Sequence, residues 1–320
     1  MPLWPTTNSA SHSTESPHFR ITLVMLFAVV FLSAAAACSM TGETPEASRE
    51  VTTPETATTT AIPTRTPEPT STATSTPLPA CRFEAGTVVH TVYPGVVVRE
   101  DIPVVVYLPP CYDELAETYP VLYLLHGFGS GMDETQWEQL GVLTEADARF
   151  RAGVPSYIIV MPLQPDPIFI NSMGGTGSYE QEMLEGLIPS IDSTYRTREA
   201  PQDRALAGIS RGGVWALEIA FRNPDVFNVV AGLSPALHVN YALPPYDPFL
   251  IAAGAEDLPH NILLTAGDAE RDFRLAVLEL SAALEEADVE HQVQVVSGGH
   301  QNETWSQQVP QLLDFIEGSW

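Results

Sequence analysis

The run Gly208-Ile209-Ser210-Arg211-Gly212-Gly213 follows an apolar, strand-like stretch at 205–207 and opens a helical one at 214–222. A serine hydroxyl is a weak nucleophile until a base takes its proton. A sharp strand-to-helix turn offers that hydroxyl at a helix N-terminus, where the dipole favours developing negative charge. Glycines on either side remove the Cβ atoms that would collide in so tight a turn. As a bare pattern, G-x-S-x-G also fits a glycine-rich helix start with a capping serine. The strand before it and the helix after it give the match its specificity as a nucleophile elbow.

A nucleophilic serine needs a base, and the base needs an orienting carboxylate. The chain order Ser, acid, His belongs to sheets of this strand-turn-helix kind. Four histidines follow Ser210: His238, His260, His291 and His300. His300 ends Ser297-Gly298-Gly299-His300, after a β-rich run at 292–296 and before a helical pattern at 303–317. That places it at the C-terminal end of a strand, where open α/β sheets keep their sites. His291 begins the same strand at its other end. Three carboxylates, Asp268, Glu270 and Asp272, occupy the segment after the run at 261–265. One must reach the imidazole and the others can cap the next helix, so spacing leaves all three open.

Upstream, Leu124-Leu125-His126-Gly127-Phe128-Gly129 follows a strand at 121–125. The loop after this strand supplies one backbone donor of an oxyanion hole, and the residue after the nucleophile supplies the other. Those donors are Phe128 (or Gly127) and Arg211. His126 sits on the wrong loop to serve as the base and reads as structural.

These residues need a scaffold, and the chain alternates accordingly. Short β-rich runs at 87–92, 102–108, 121–125, 157–161, 203–207, 227–232, 261–265 and 292–296 are interleaved, in the later part, with helical patterns at 178–191, 211–222, 271–287 and 303–317. Such alternation predicts a mostly parallel sheet with helices on both faces. The first strands lack intervening helices, which predicts an antiparallel N-terminal edge. Segments 162–178 and 235–259, rich in Pro and Gly, are expected to line the pocket, with Phe169, Tyr241 and Tyr246 as candidate stacking surfaces.

With these motifs in place, residues 103–317 resemble the esterase D-like family of α/β-hydrolases, which includes feruloyl, acetyl-xylan and enterochelin-type esterases, S-formylglutathione hydrolase and mycolyltransferases. The similar stretches are 106–113 (VYLPPCYD), 119–129 (YPVLYLLHGFG), 185–197 (EGLIPSIDSTYRT), 204–227 and 298–305 (GGHQNETW). The resemblance implies an α/β-hydrolase fold and a serine esterase acting through an acyl-enzyme. It aligns Gly267 and Glu270 with a G-x-x-E pattern and so implies Glu270 as the triad acid, with Asp268 and Asp272 in reserve. Cys111 stands where that family commonly has Gly. Acyl transfer to another alcohol by the same triad is the alternative. A peptidase, or a non-catalytic surface binding protein on the same scaffold, is disfavoured because the chain is short for a gating domain and the nucleophile, base and glycines are all kept.

The chain has 320 residues and a formal net charge of -26, from 14 basic and 40 acidic side chains. Phosphate backbones require clustered Lys and Arg, so nucleic acid is excluded as a partner. The sequence has no H-E-x-x-H motif, cysteine cluster or phosphate loop, so no metal or cofactor is implied. The expected partner is a small-molecule or carbohydrate-linked ester.

Residues 21–38 are uncharged and apolar after Arg20, and they end in Ala35-Ala36-Ala37-Cys38. An apolar core followed by small residues is an export signal, and the final tetrad is similar to a bacterial lipobox lacking its usual Leu. An uncleaved span or an ordinary cleaved signal would also export the domain. Residues 51–80 hold 12 Thr and 6 Pro, too few apolar groups to offset ordering entropy, so 39–80 reads as an extended stalk. The domains expected are an export signal at 1–38, that stalk, and a catalytic domain at 81–320 facing outward from a lipid anchor. In an oxidising compartment the remaining pair, Cys81 and Cys111, reads as a disulfide. Cys38→Ala is expected to abolish incorporation of labelled fatty acid and to leave the domain folded; label retained on the variant would exclude Cys38 as the anchor.

Overall fold

Eight strands form one sheet in the computed structural model, which describes residues 85–170, 173–239, 242–254 and 257–320. The export signal, Cys38, the stalk, Cys81 and Tyr241 lie outside the described residues. The strands are β1 Thr87–Pro94, β2 Asp101–Leu108, β3 Val121–Leu125, β4 Ile158–Pro162, β5 Arg204–Ile209, β6 Val229–Leu233, β7 Asn261–Gly267 and β8 Gln292–Val296. They lie in the order β1-β2-β4-β3-β5-β6-β7-β8. β1 and β2 pair antiparallel, β2 meets β4 antiparallel, and every later pairing is parallel. This is the mostly parallel sheet with an antiparallel edge that the alternation predicts.

A parallel sheet covered on both faces needs strands that are apolar throughout. β3, β4, β5 and β6 are buried along their whole length. Alternate residues serve opposite sides: Val121, Tyr123 and Leu125 enter one core, while Leu122 and Leu124 enter the other. Each fully buried Leu, Ile or Val contributes about 1.5–3 kcal/mol.

Eight helices cover these faces among the described residues: α1 Gln136–Gln139, α2 Val142–Arg151, α3 Tyr179–Gln181, α4 Ile188–Thr194, α5 Arg211–Arg222, α6 Pro248–Gly254, α7 Arg271–Glu286 and α8 Asn302–Gly318. Buried residues of α5 and α7 join one core, and those of α2 and α8 join the other. The pattern reading does not single out α1, α2 or α6. α1 and α6 are too short to show a period, and α2 buries only Val142 and Ala146. Cys111 follows β2 with φ of +61° and is 4% exposed. The register Tyr107↔Ile159 puts it at the edge where the parallel strands begin.

The helix expected over 178–191 is interrupted. Between α3 and α4 the backbone widens into a π-helical turn, Glu182–Leu187. The buried Glu182 carboxylate accepts the N–H groups of Val96 (2.9 Å), Val97 (2.7 Å) and Val98 (3.3 Å), capping the turn between β1 and β2. A hydrogen bond to a charged acceptor is worth about 1.5–3 kcal/mol, and a donor left unmet costs more when buried. Glu182→Ala should therefore lower stability by about 2 kcal/mol and Tm by about 4–8 °C, with Glu182→Gln milder. Thermal unfolding followed by circular dichroism checks this; an unchanged Tm would show that the cap is dispensable.

Candidate active site

Ser210 lies between the last residue of β5 and the first of α5, with φ of +53° and ψ of −113°. That left-handed backbone is strained for a residue with a side chain. Its neighbours hold it from three directions. The Ser210 N–H donates to the Leu233 carbonyl (2.9 Å), and its own carbonyl accepts from Val214 (3.2 Å) and Ala236 (3.0 Å). The flanking glycines are needed for close approach. A Cβ on Gly208 would collide with the Gly212 backbone, and one on Gly212 would collide with the carbonyls of Leu125 and His126.

His300 arrives from the loop after β8 and Glu270 from the loop after β7. The two loops are laced together: Ala269 donates to the Gly298 carbonyl (3.0 Å), and the Gly298 N–H donates to Asp268 Oδ1 (2.9 Å). Across this seam His300 Nδ1 lies 2.7 Å from Glu270 Oε1, and His300 Nε2 lies 2.8 Å from Ser210 Oγ. A carboxylate only accepts, so Nδ1 carries the proton and Nε2 is left to accept from the serine hydroxyl. Phe273 stacks on the imidazole at a centroid distance of 3.8 Å, and Trp305 meets its edge at 4.9 Å. The ring is therefore fixed in plane as well as in tautomer.

Of the three carboxylates, Glu270 meets the histidine, Asp268 is bound to the Gly298 amide, and Asp272 sits in the first turn of α7. Glu270 is 4% exposed. Burial alone would raise its pKa, but bonds from His300, Ser234 Oγ (2.7 Å) and the Gly267 N–H (2.5 Å) outweigh it. The net result is a carboxyl held below its ordinary value.

On the other side of Ser210 the loop after β3 separates the two oxyanion-donor options. The Gly127 N–H is given to Gln136 Oε1 (2.8 Å), while the Phe128 side chain is 60% exposed at the mouth. Arg211 follows the nucleophile at the start of α5. His126 is buried with both ring nitrogens engaged: Nδ1 donates to the Gly127 carbonyl (2.7 Å) and Nε2 accepts the Gln164 N–H (3.0 Å). Burial depresses its pKa. It ties two loops together and does not approach the triad.

The loop after β4 is pinned to the nucleophile's helix. The Phe169 carbonyl accepts from Arg211 Nε (2.9 Å) and Trp215 Nε1 (2.8 Å). The Phe169 ring is buried between His126 and Phe128, with centroids at 5.2 and 5.9 Å, so it is a wall and not an open stacking surface. Tyr246 lies beneath the Arg222 guanidinium at 4.6 Å, and Arg222 Nε in turn bonds Glu180 (3.0 Å).

Two site residues escape the motif reading. Gln136 supports the Gly127 amide and donates to Asn302 Oδ1 (3.0 Å), two residues past His300. Ser234 is fully buried and donates to Glu270. Neither lies in a recognisable pattern; only the fold brings them to the site.

Residues 96–316 match the family model described as "Putative esterase". An endo-1,4-beta-xylanase/feruloyl esterase of Xylanibacter ruminicola is 33% identical over 137 residues, covering 38% of this chain and 18% of that one. Ferri-bacillibactin esterase of Bacillus subtilis is 27% identical over 180 residues, covering 49% of this chain and 62% of that one. The chain thus spans less than two thirds of either relative. A solved ferulic acid esterase superposes with a TM-score of 0.65 at 25% identity, covering 73% of this chain and 98% of that one.

The depressed Glu270 carboxyl has a measurable consequence. A group whose folded pKa lies below its unfolded one adds stability above the unfolded value, and that stability is lost as pH falls through the folded value. The side-chain carboxyl carbon of Glu270 should titrate below the ordinary Glu value of about 4.3, as read by carbon NMR. Glu270→Gln should lack this part of the acid lability; a titration at or above the ordinary value would contradict the three-donor account.

Proposed function

Because the chain belongs to the esterase family whose model it matches over residues 96–316, we propose that it is an exported serine carboxylic-ester hydrolase working through an acyl-enzyme. The observation that carries this reading is the continuous relay from Ser210 Oγ to His300 Nε2 (2.8 Å) and from His300 Nδ1 to Glu270 Oε1 (2.7 Å).

Ser210 Oγ attacks the ester carbonyl carbon while His300 Nε2 takes its proton. The carbonyl oxygen becomes an oxyanion facing the N–H groups of Phe128 and Arg211; preorganised donors aimed at that charge are worth about 10²–10³ in rate each. Glu270 stabilises the imidazolium without accepting its proton. The tetrahedral intermediate collapses, His300 gives the proton to the leaving alcohol oxygen, and the acyl group stays on Ser210. Water then repeats the sequence, with His300 as base, and releases the carboxylic acid and free Ser210.

The substrate class is a small-molecule or carbohydrate-linked ester. The exposed Phe128 ring, backed by the buried Phe169, favours a flat, aromatic acyl group, in keeping with relatives named feruloyl and ferulic acid esterases. Export rests on the apolar segment 21–38, and attachment to the membrane rests on Cys38. A Cys81–Cys111 bridge is part of the same reading, supported by an exported chain with two cysteines besides Cys38 and by the buried turn that carries Cys111.

Purified protein should hydrolyse p-nitrophenyl acetate and methyl ferulate. Ser210→Ala and His300→Ala should each lower kcat by about 10⁴-fold, since triad members act as a unit. Glu270→Gln should cost about 10³–10⁴-fold, with Asp268→Asn and Asp272→Asn staying within about tenfold. Activity retained in Ser210→Ala would refute the nucleophile, and a large loss confined to Asp268→Asn would move the acid.

A further inference from the structure

The turn after β6 touches the nucleophile and the acid at once. Leu233 accepts the Ser210 N–H and Ala236 donates to the Ser210 carbonyl, so residues 233 and 236 clasp the nucleophile's backbone from both sides. Between them stands Ser234, with no exposed surface. Its N–H donates to the Thr265 carbonyl on β7 (2.8 Å), and its hydroxyl donates to Glu270 Oε2 (2.7 Å). Ser234 Oγ in turn accepts from Trp305 Nε1 (3.3 Å), whose ring meets the His300 edge.

Ser234 also has φ of +45°. A non-glycine residue in this region costs about 1–3 kcal/mol and persists where the surroundings over-determine it. Glycine would relieve that cost, so the hydroxyl is the feature glycine could not supply.

The geometry points to Ser234 as a positioning residue: its hydroxyl, oriented by Trp305, fixes the Glu270 carboxylate by Oε2 so that Oε1 faces His300. The assignment rests on the triad reading above, because Ser234 reaches the chemistry only through Glu270. A carboxylate can rotate about its terminal torsion, which is broad. Two donors on Oε2, the Ser234 hydroxyl and the Gly267 N–H, remove that freedom. The clasp on Ser210 then sets the acid and the nucleophile from one four-residue turn.

Two substitutions and one background separate this role from a general structural one. Ser234→Gly removes the hydroxyl and suits the backbone; Ser234→Ala removes it and keeps the Cβ. Each should lower kcat for p-nitrophenyl acetate by about 10–100-fold with KM within about twofold, while circular dichroism and Tm of Ser234→Gly stay close to the parent. In a Glu270→Gln background, assayed at high enzyme concentration, Ser234→Gly should add less than about a twofold loss. Parental kcat in Ser234→Gly would overturn the proposal, and so would a full loss persisting on top of Glu270→Gln. Activity in Ser234→Gly with loss only in Ser234→Ala would also overturn it, by assigning the effect to backbone strain. Near-parental activity of Glu270→Gln alone marks failure of the triad reading itself, which is a separate outcome.

Discussion

Everything at this site depends on holding Ser210 in a backbone conformation that side chains resist. The strain is of order 1–3 kcal/mol, a sizeable share of a domain's net stability. It is sustained because the alternatives are blocked. The preceding residue is fixed in β5 by its parallel register with β6. The following residues are fixed in α5, which is buried along nearly its whole length. The Ser210 amide and carbonyl each have partners in the turn after β6. Releasing the strain would break those bonds and uncouple α5 from the sheet. The large apolar burial on both faces thus maintains a small, unfavourable geometry where the chemistry needs it.

Charge follows the same logic. Glu218 and Glu270 are both buried, and burial pushes both carboxyls upward; their partners decide the net direction. Glu270 receives three hydrogen bonds and is held below the ordinary range. Glu218, on α5, finds no good hydrogen-bond partner for either oxygen among the described residues, and burial pushes it up to about 8; Arg211 and the Gly174 amide offset only part of that. Burial alone therefore does not decide ionisation; donors do. The buried Glu270 can remain a carboxylate because the turn after β6, the end of β7 and the loop after β8 each deliver one donor.

What could be read from the chain divides along the range of the interactions. β3 coincides with the apolar run at 121–125, because a covered parallel strand advertises itself by local composition; β8, half exposed at the sheet edge, coincides with the run at 292–296 through its alternating valines. Ser210 is legible for a similar reason: its strand, turn and helix are contiguous, so their constraint is written in six adjacent residues. From spacing alone the choice among Asp268, Glu270 and Asp272 is not, since all three fall within five residues and only the fold, with β7 paired to β8, decides which meets His300. Ser234, Gln136 and Glu182 are less legible still. Each is an ordinary polar residue whose partners lie 36, 166 and about 85 positions away. The π-helical turn that aims Glu182 leaves no mark on a 3.6-residue period.

The division of labour around the nucleophile suggests how chemistry and selection stay independent. In the proposed reaction, the relay and the oxyanion donors come from strand ends and backbone amides, which a change of side chain at Phe128 would leave in place. On the same reading, selection would fall to the Phe128 ring and to the loop after β4, which is held as a wall because Arg211 and Trp215 both donate to the Phe169 carbonyl. Those two donors sit on the first and second turns of the helix that presents Ser210. The wall is thereby indexed to the nucleophile and not to the sheet at large. A substrate group resting on Phe128 would then present its reacting carbonyl at a fixed offset from Ser210 Oγ. In that reaction, replacing the ring would change which acyl group fits while the N–H of the same residue would still face the oxyanion.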